Sequence, residues 1–425
     1  MTKLMKYDKP DWLVVAISLR LRKVTGVFKF YRIRGSKVHF HDGDIFLKFR
    51  GDKMQERYMR RAIELAQKGV GKVNPNPLVG AVIVKDDHIL AEGYHAGYGG
   101  LHAEREAFAH LADPKEAAGA EMYVTLEPCC HYGKQPPCTQ AIIEHGIKKV
   151  YVGSDDPNDL VAGKGIRQLR EAGIEVETQV LKEECDALNP VFFHYITTHT
   201  PYVVMKYAMT MDGKIACESG ESKWVTGECA REHVQQTRNA LRGIMVGVNT
   251  VIQDDPRLTC RLPEGRDPIR IVCDSHLRIP LDCGLVRTAG QIPTKVATLP
   301  ESKDLPQRKQ LEERGVEVLY VPAETEETAR IDLRALMEQL GEQGIDGILL
   351  EGGSTLAGAA LEAGIVQHAN VYLAPKWFGG SGRFTPLRNA GAADPSEAWI
   401  GVNRKVTTLQ EDILLDYDIV RRKQS

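Results

Sequence analysis

The densest set of reactive side chains lies between Leu101 and Cys138, in His102-Ala103-Glu104, Thr125-Leu126-Glu127-Pro128-Cys129 and Pro136-Pro137-Cys138. One imidazole and two thiols are the donor set of a catalytic zinc site, where three protein ligands leave a fourth position for water. His102, Cys129 and Cys138 are the candidate ligands, holding one Zn2+. Coordination lowers the pKa of bound water from about 15.7 towards 7, but a proton must still be carried to a leaving group. Glu104, two residues after the histidine, is the candidate carrier. A purely structural zinc would take a fourth ligand, Cys130 or His131, and would have no use for Glu104.

His-x-Glu followed by Pro-Cys and a second cysteine is the pattern of the zinc deaminases of nucleobases. Those acting on cytosine or adenine usually close the site with Cys-x-x-Cys. Here eight residues, Cys130 to Pro137, separate the two cysteines. The added loop brings His131, Tyr132, Gly133 and Lys134 beside the metal, and Lys134 is a candidate point charge for a phosphate. The spacing therefore favours a phosphorylated substrate. Asn74-Pro75-Asn76-Pro77 is a rigid turn, and Asn76 is the candidate for presenting an amide to a pyrimidine edge.

These residues need elements to position them. Tyr58, Ala62, Leu65 and Ala66 recur at helical spacing, and Leu78 to Val84 with Ile89 to Gly93 predict a hairpin turning at Asp86-Asp87. A helix from Ala103 to Leu111 follows His102, a strand Glu121 to Leu126 delivers Cys129, and a second helix opens at Cys138. Both metal-bearing turns then sit at helix N-termini, where free amides favour an anionic Cys138. A strand Lys148 to Gly153, a helix Gly163 to Ala172 and a strand Ile174 to Thr178 complete an α/β sandwich.

After a connector ending near Pro201, strands at 202–207, 243–247, 269–273, 295–298, 316–321 and 347–350 alternate with helical stretches at 228–241, 331–341 and 355–363. This predicts a second, mostly parallel sheet. Its chemistry centres on Leu349-Leu350-Glu351-Gly352-Gly353-Ser354-Thr355-Leu356-Ala357-Gly358, a strand-to-helix turn whose glycines allow backbone amides to approach a phosphate. Met211 to Lys214, Gly220 to Trp224 and Thr250 to Arg261 also follow strands, where open α/β sheets bind ligands.

Composition narrows the function classes. The 425 residues are 43% hydrophobic and 26% charged with net charge −2, an ordinary globular balance. A pI of about 6.7 gives no general attraction to nucleic acid or an anionic membrane, so neither is expected as a partner. No apolar run is long enough for a membrane span. Nine scattered cysteines argue for a reducing cytoplasm. Residues 1–53 differ, with thirteen Lys and Arg against five Asp and no Glu. They are expected to be a basic extension, disordered or preceding the true start at Met54. The remainder divides into units at 54–190 and 200–425.

The chain resembles the bifunctional bacterial riboflavin-biosynthesis deaminase/reductase family from residue 54 to about 420. The first half is similar in HAE, TLEPC and PPC, including the eight-residue spacer. The second is similar in MDGKIA, GESKWVT, NTVIQDDPRLT, RIVCDS and LLEGGSTLAG. The resemblance implies a cytidine-deaminase-like α/β/α domain followed by a dihydrofolate-reductase-like α/β domain using NADPH, in a protein expected to form a homo-oligomer. The implied reactions are hydrolytic deamination of 2,5-diamino-6-(5-phosphoribosylamino)pyrimidin-4(3H)-one and then reduction of the ribosyl chain to ribityl.

By the same resemblance Ala208, Trp224, Thr250, Asp254, Ser275 and the turn Gly353, Ser354, Thr355, Leu356, Ala357, Gly358 and Ala359 contact the nucleotide. Ser222, Arg238, Leu258, Arg261 and Glu351 contact substrate, with Arg238 and Arg261 as clamps for its phosphate. Lys206 stands at the family's catalytic lysine. Asp156-Pro157-Asn158-Asp159 replaces the family's Asp-Pro-Asn-Pro, and residues 1–53 have no counterpart. The alternatives are a single-function zinc nucleobase deaminase with an inactive or unrelated second half, and a non-enzymatic protein stapled by zinc.

Overall fold

A computed structural model describes residues 13–18, 28–33, 37–41, 44–48, 54–325 and 327–421. In the first segment strands β1 (Leu13–Ser18) and β2 (Phe28–Ile33) pair antiparallel, as do β3 (Lys37–His41) and β4 (Asp44–Lys48). The sequence reading finds no period there, yet these stretches are rich in β-branched and aromatic residues. The expected disordered extension otherwise lies outside the described residues.

The first large sheet has the order β6-β5-β7-β8-β9, built from β5 (Gly80–Lys85), β6 (His88–Tyr94), β7 (Glu121–Leu126), β8 (Lys149–Ser154) and β9 (Glu175–Glu177). The β5–β6 turn places Asp86 at φ 48° and Asp87 at φ 62°, the left-handed pair that a two-residue hairpin requires. Alternation divides the strands between two cores. Val82, Val84, Tyr123 and Tyr151 pack on α1 (Met54–Gln67) through Tyr58, Met59, Ala62 and Leu65. Ala81, Ile83, Met122, Val124, Val150 and Val152 pack on α2 (Ala103–Ala109), α3 (Cys138–Glu144) and α4 (Lys164–Glu171). This is the expected α/β/α layering. Gly93 decides how closely α2 lies on the sheet, because a Cβ there would stand 2.3 Å from Ala103 O and from Ala107 N.

Helices α5 (Lys182–Asp186) and α6 (Pro190–Thr198) lead to a nine-stranded sheet of order β14-β13-β12-β11-β15-β10-β16-β18-β17. Its strands are β10 (Tyr202–Thr210), β11 (Gly243–Gly247), β12 (Ile269–Cys273), β13 (Thr294–Thr298), β14 (Val316–Tyr320), β15 (Gly347–Glu351), β16 (His368–Ala374), β17 (Trp399–Leu409) and β18 (Asp412–Arg421). The strands from β14 to β16 run parallel, and β18 and β17 add an antiparallel edge. The helices are α7 (Glu228–Ala240), α8 (Val248–Asp254), α9 (Gly284–Arg287), α10 (Pro306–Glu312), α11 (Leu333–Glu342) and α12 (Ser354–Glu362). α11 and α12 cover one face; α9 and α10 cover the other, and α7 closes over Tyr372 and Leu414. No described helix is long and apolar enough to cross a membrane.

Candidate active sites

The three candidate zinc ligands converge. His102 is the N-cap of α2, Cys129 follows the end of β7, and Cys138 opens α3. Their ligand atoms lie within 4.8 Å of one another, with His102 Nδ1 3.5 Å from Cys129 Sγ and 3.4 Å from Cys138 Sγ. Neither Cys130 nor His131 belongs to this cluster among the described residues. Three converging donors of this kind fit a zinc ion with an open fourth position. The Cys138 amide N–H points at Cys129 Sγ, 3.4 Å away, so the start of α3 favours the thiolate of Cys129 rather than of Cys138.

Above the cluster is a cavity of about 330 Å³ whose wall includes Asn76, His95, His102, Glu104, Cys129, His131 and Lys134. Glu104 is 3% exposed, and burial raises its carboxyl above the usual range, which suits a group that must both take and give a proton. Asn76 is fixed by His95. The His95 Nδ1 faces the Leu101 carbonyl at 2.8 Å, which can only accept, so Nδ1 carries the proton and Nε2 accepts from Asn76 Nδ2 at 3.1 Å. Burial pushes the His95 pKa down, consistent with a neutral ring. Asn76 Oδ1 therefore keeps its capacity to accept a hydrogen bond. Lys134 lies at the rim, its Nζ 3.8 Å from the centroid of the Tyr98 ring.

Sequence reasoning did not single out His95, Asp156, Phe192 or Tyr195, which also line this cavity. Asp156 lies in the quoted Asp-Pro-Asn-Asp turn, a signal that could have found it. Phe192 and Tyr195 come from α6, at the boundary between the two units, where the sequence carries no signal of chemistry.

The second cavity, about 1370 Å³, opens along the C-terminal ends of the parallel strands. It gathers Lys206, Ala208, Ser222, Trp224, Arg238, Thr250, Asp254, Leu258, Arg261, Ser275, Glu351, Gly353, Ser354, Thr355, Leu356 and Ala359. Ala357 and Gly358 are not in its wall. Ala357 is buried in the core, and a Cβ on Gly358 would stand 2.7 Å from Arg388 O, so this part of α12 faces inward.

Gly352 and Gly353 have φ of 104° and 82°, and a Cβ on Gly353 would come 3.3 Å from Thr250 Oγ1. This bare backbone at the start of α12 fits a nucleotide phosphate. Lys206 and Glu351 are paired in register on β10 and β15. Burial lowers the Lys206 pKa, with Glu351 opposing and Arg238 adding to the effect. Burial alone would raise the Glu351 carboxyl, but Arg238 and Lys206 hold it below the usual range.

The expectation of two arginine phosphate clamps divides here. Arg238 gives Nε and Nη2 to the two Glu351 oxygens and Nη1 to Thr259 O at 2.8 Å. Arg261 makes no side-chain hydrogen bond or ion pair among the described residues and is the free cation of the two.

Two family models match the chain: the cytidine and deoxycytidylate deaminase zinc-binding region over residues 52–154 and the RibD C-terminal domain over 201–405. The riboflavin biosynthesis protein RibD of Actinobacillus pleuropneumoniae is 56% identical over 364 residues, covering 85% of this chain and 95% of that protein. That of Escherichia coli is 41% identical over 341 residues, covering 77% and 89%. The structure of Acinetobacter baumannii RibD matches with a TM-score of 0.76 at 36% identity, covering 87% of this chain and 99% of that one. A Thermotoga maritima diaminohydroxyphosphoribosylaminopyrimidine deaminase/5-amino-6-(5-phosphoribosylamino)uracil reductase gives 0.74 at 37%, covering 86% and 99%.

Proposed function

The chain belongs to the RibD family of riboflavin biosynthesis proteins, and from that premise we propose how its residues divide the work between the two cavities. It is a bifunctional deaminase and reductase acting on phosphorylated pyrimidines. The single-function alternative is set aside, because the relatives span both halves.

Deamination belongs to the smaller cavity, in the unit at 54–190. His102, Cys129 and Cys138 hold zinc, which when bound supplies a water made acidic enough to attack at neutral pH. Asn76 Oδ1 orients the pyrimidine, Lys134 meets the phosphate, and Glu104 takes the proton of the attacking water and returns it to the departing amine.

Reduction belongs to the larger cavity, in the unit at 200–425. Ala208, Trp224, Thr250, Asp254, Ser275 and the start of α12 hold NADPH, which when bound supplies the hydride. Opening the ribose breaks the bond from C1′ to the ring oxygen, and that oxygen needs a proton. Lys206 is the ammonium that gives it, Glu351, itself gripped by Arg238, keeps it in position, and Arg261 binds the phosphate. Ser222 and Leu258 complete the substrate wall. A cytoplasmic homo-oligomer is part of the same reading, supported by the family and by nine cysteines with no disulfide among the described residues.

The convergence of His102, Cys129 and Cys138 beside buried Glu104 carries this reading. The test supplies purified protein with the diaminopyrimidinone ribotide and NADPH and follows ammonia release and NADPH oxidation together. The wild type should do both. Glu104→Gln should do neither until given the deaminated uracil ribotide, and then oxidise NADPH at the wild-type rate. Ammonia release by that variant would sink the assignment of Glu104.

A further inference from the structure

The turn that carries Asn76 is held from outside its own unit. Two residues before Asn76, the Asn74 amide donates Nδ2–H to Asp346 Oδ2 at 2.7 Å, while its Oδ1 accepts from Arg266 Nη2 at 3.5 Å. Both partners belong to the reductase half. Asn239 of α7 closes the same contact: its Oδ1 accepts the Arg266 N–H at 2.9 Å, and a Cβ on Gly71 would stand 2.6 Å from its Nδ2.

Asp346 is 1% exposed, and its Oδ1 has no hydrogen-bond partner. Burial raises its pKa, with Asn74, Arg242 and Arg266 opposing. A carboxyl buried in such a place costs stability relative to an apolar residue, and the Asn74 hydrogen bond with the nearby Arg242 and Arg266 charges offsets that cost and fixes its orientation. That geometry continues inward, from Asn74 through Pro75 to Asn76, to His95, and by way of Leu101 O to the residue before zinc ligand His102.

We propose that Asp346 is a positioning residue for deamination: through Asn74 it fixes the turn presenting Asn76 to the pyrimidine, so the deaminase site is complete only when docked on the reductase. This rests on the reading of Asn76 as the substrate contact. Asp346 precedes β15, whose last residue is Glu351, about 17 Å away at the rise of a strand. Substitution at Asp346 should therefore spare reduction.

The experiment uses full-length protein. Asp346→Ala removes the anchor, and Asn74→Asp sets a second carboxylate against it. Each should raise the deaminase KM about tenfold or more, as expected when a substrate-positioning group is displaced, with zinc content and uracil ribotide reduction at wild-type values. Adding Asp346→Asn to Asn74→Asp should restore KM by rebuilding the hydrogen bond with its roles exchanged.

Wild-type deamination in both single variants overturns the inference, and so does a loss that the exchange fails to repair. Asn76→Ala runs in parallel. If that variant keeps wild-type KM, the substrate reading fails and takes the inference with it; if it is impaired while the Asp346 and Asn74 variants are normal, only the positioning role falls.

Discussion

Arg238 grips Glu351 through both carboxylate oxygens at the wall of the reductase cavity, with only 9% and 13% of the two side chains exposed. A buried pair of this kind contributes little net stability, but removing one partner strands the other charge. Arg238→Ala should therefore cost about 3 kcal/mol of stability and lower reductase kcat/KM by at least about a hundredfold, while deamination persists. The double variant Arg238→Met/Glu351→Gln should recover most of the thermal midpoint without recovering reduction. Calorimetry beside the two assays separates these outcomes, and a single variant as stable as wild type would show that the pair is not buried in solution.

Gly353 gives a test of the nucleotide site alone. Its φ of 82° is left-handed, so alanine would be strained there, and its Cβ would press on Thr250 Oγ1 at 3.3 Å. Gly353→Ala should raise the KM for NADPH about tenfold and leave the KM for the pyrimidine ribotide unchanged. Equal increases in both would place the turn elsewhere than at the nucleotide.

Much of this was legible in the sequence, because the signals were local. The Asp86-Asp87 hairpin, the strand delivering Cys129 and the glycine turn after β15 each declare themselves within ten residues or so. What the sequence hid depends on long-range packing. Strand order in a parallel sheet leaves no local trace, so nothing foretold that β15 and β10 sit side by side and bring Glu351 against Lys206. The β17–β18 hairpin was not anticipated, since its strands carry no chemistry to attract notice. Phe192 and Tyr195 fall at the boundary between the units and carry no signal of chemistry until α6 folds against the deaminase cavity. Arg238 reads as a phosphate clamp because its type suits one; the structure adds that three of its five N–H donors go to Glu351 and Thr259.

Metal removal should separate the two activities. The His102, Cys129 and Cys138 cluster lies in the first unit, whereas the reductase cavity is lined by residues from 206 onward. Chelation should abolish ammonia release while reduction of the uracil ribotide continues, and zinc analysis should give one ion per chain. Cobalt replacement gives a spectroscopic reading, since two thiolates should produce charge-transfer absorption that falls by about half in Cys138→Ser. Unchanged absorption would remove Cys138 from the ligand set.

The seam between β16 and β18 of the reductase sheet should show a pH-dependent stability. His368 on β16 places Nδ1 2.9 Å from Asp418 Oδ1 and Nε2 2.6 Å from Asp416 Oδ1, both on β18. Burial disfavours its charge, yet the two carboxylates outweigh burial and raise its pKa above the ordinary imidazole value. A group raised in the folded state binds its proton more tightly there than in the unfolded chain. Its contribution is therefore complete below the ordinary imidazole range and fades as pH rises through the higher folded value. His368→Gln should lose about 2 kcal/mol at pH near 6, and the gap from wild type should narrow steadily towards pH 9. Thermal midpoints measured across that interval decide it: a gap independent of pH would mean that His368 titrates alike in the folded and unfolded chain, and a gap that widens with pH would mean that the fold disfavours its charge, reversing the sign of the linkage.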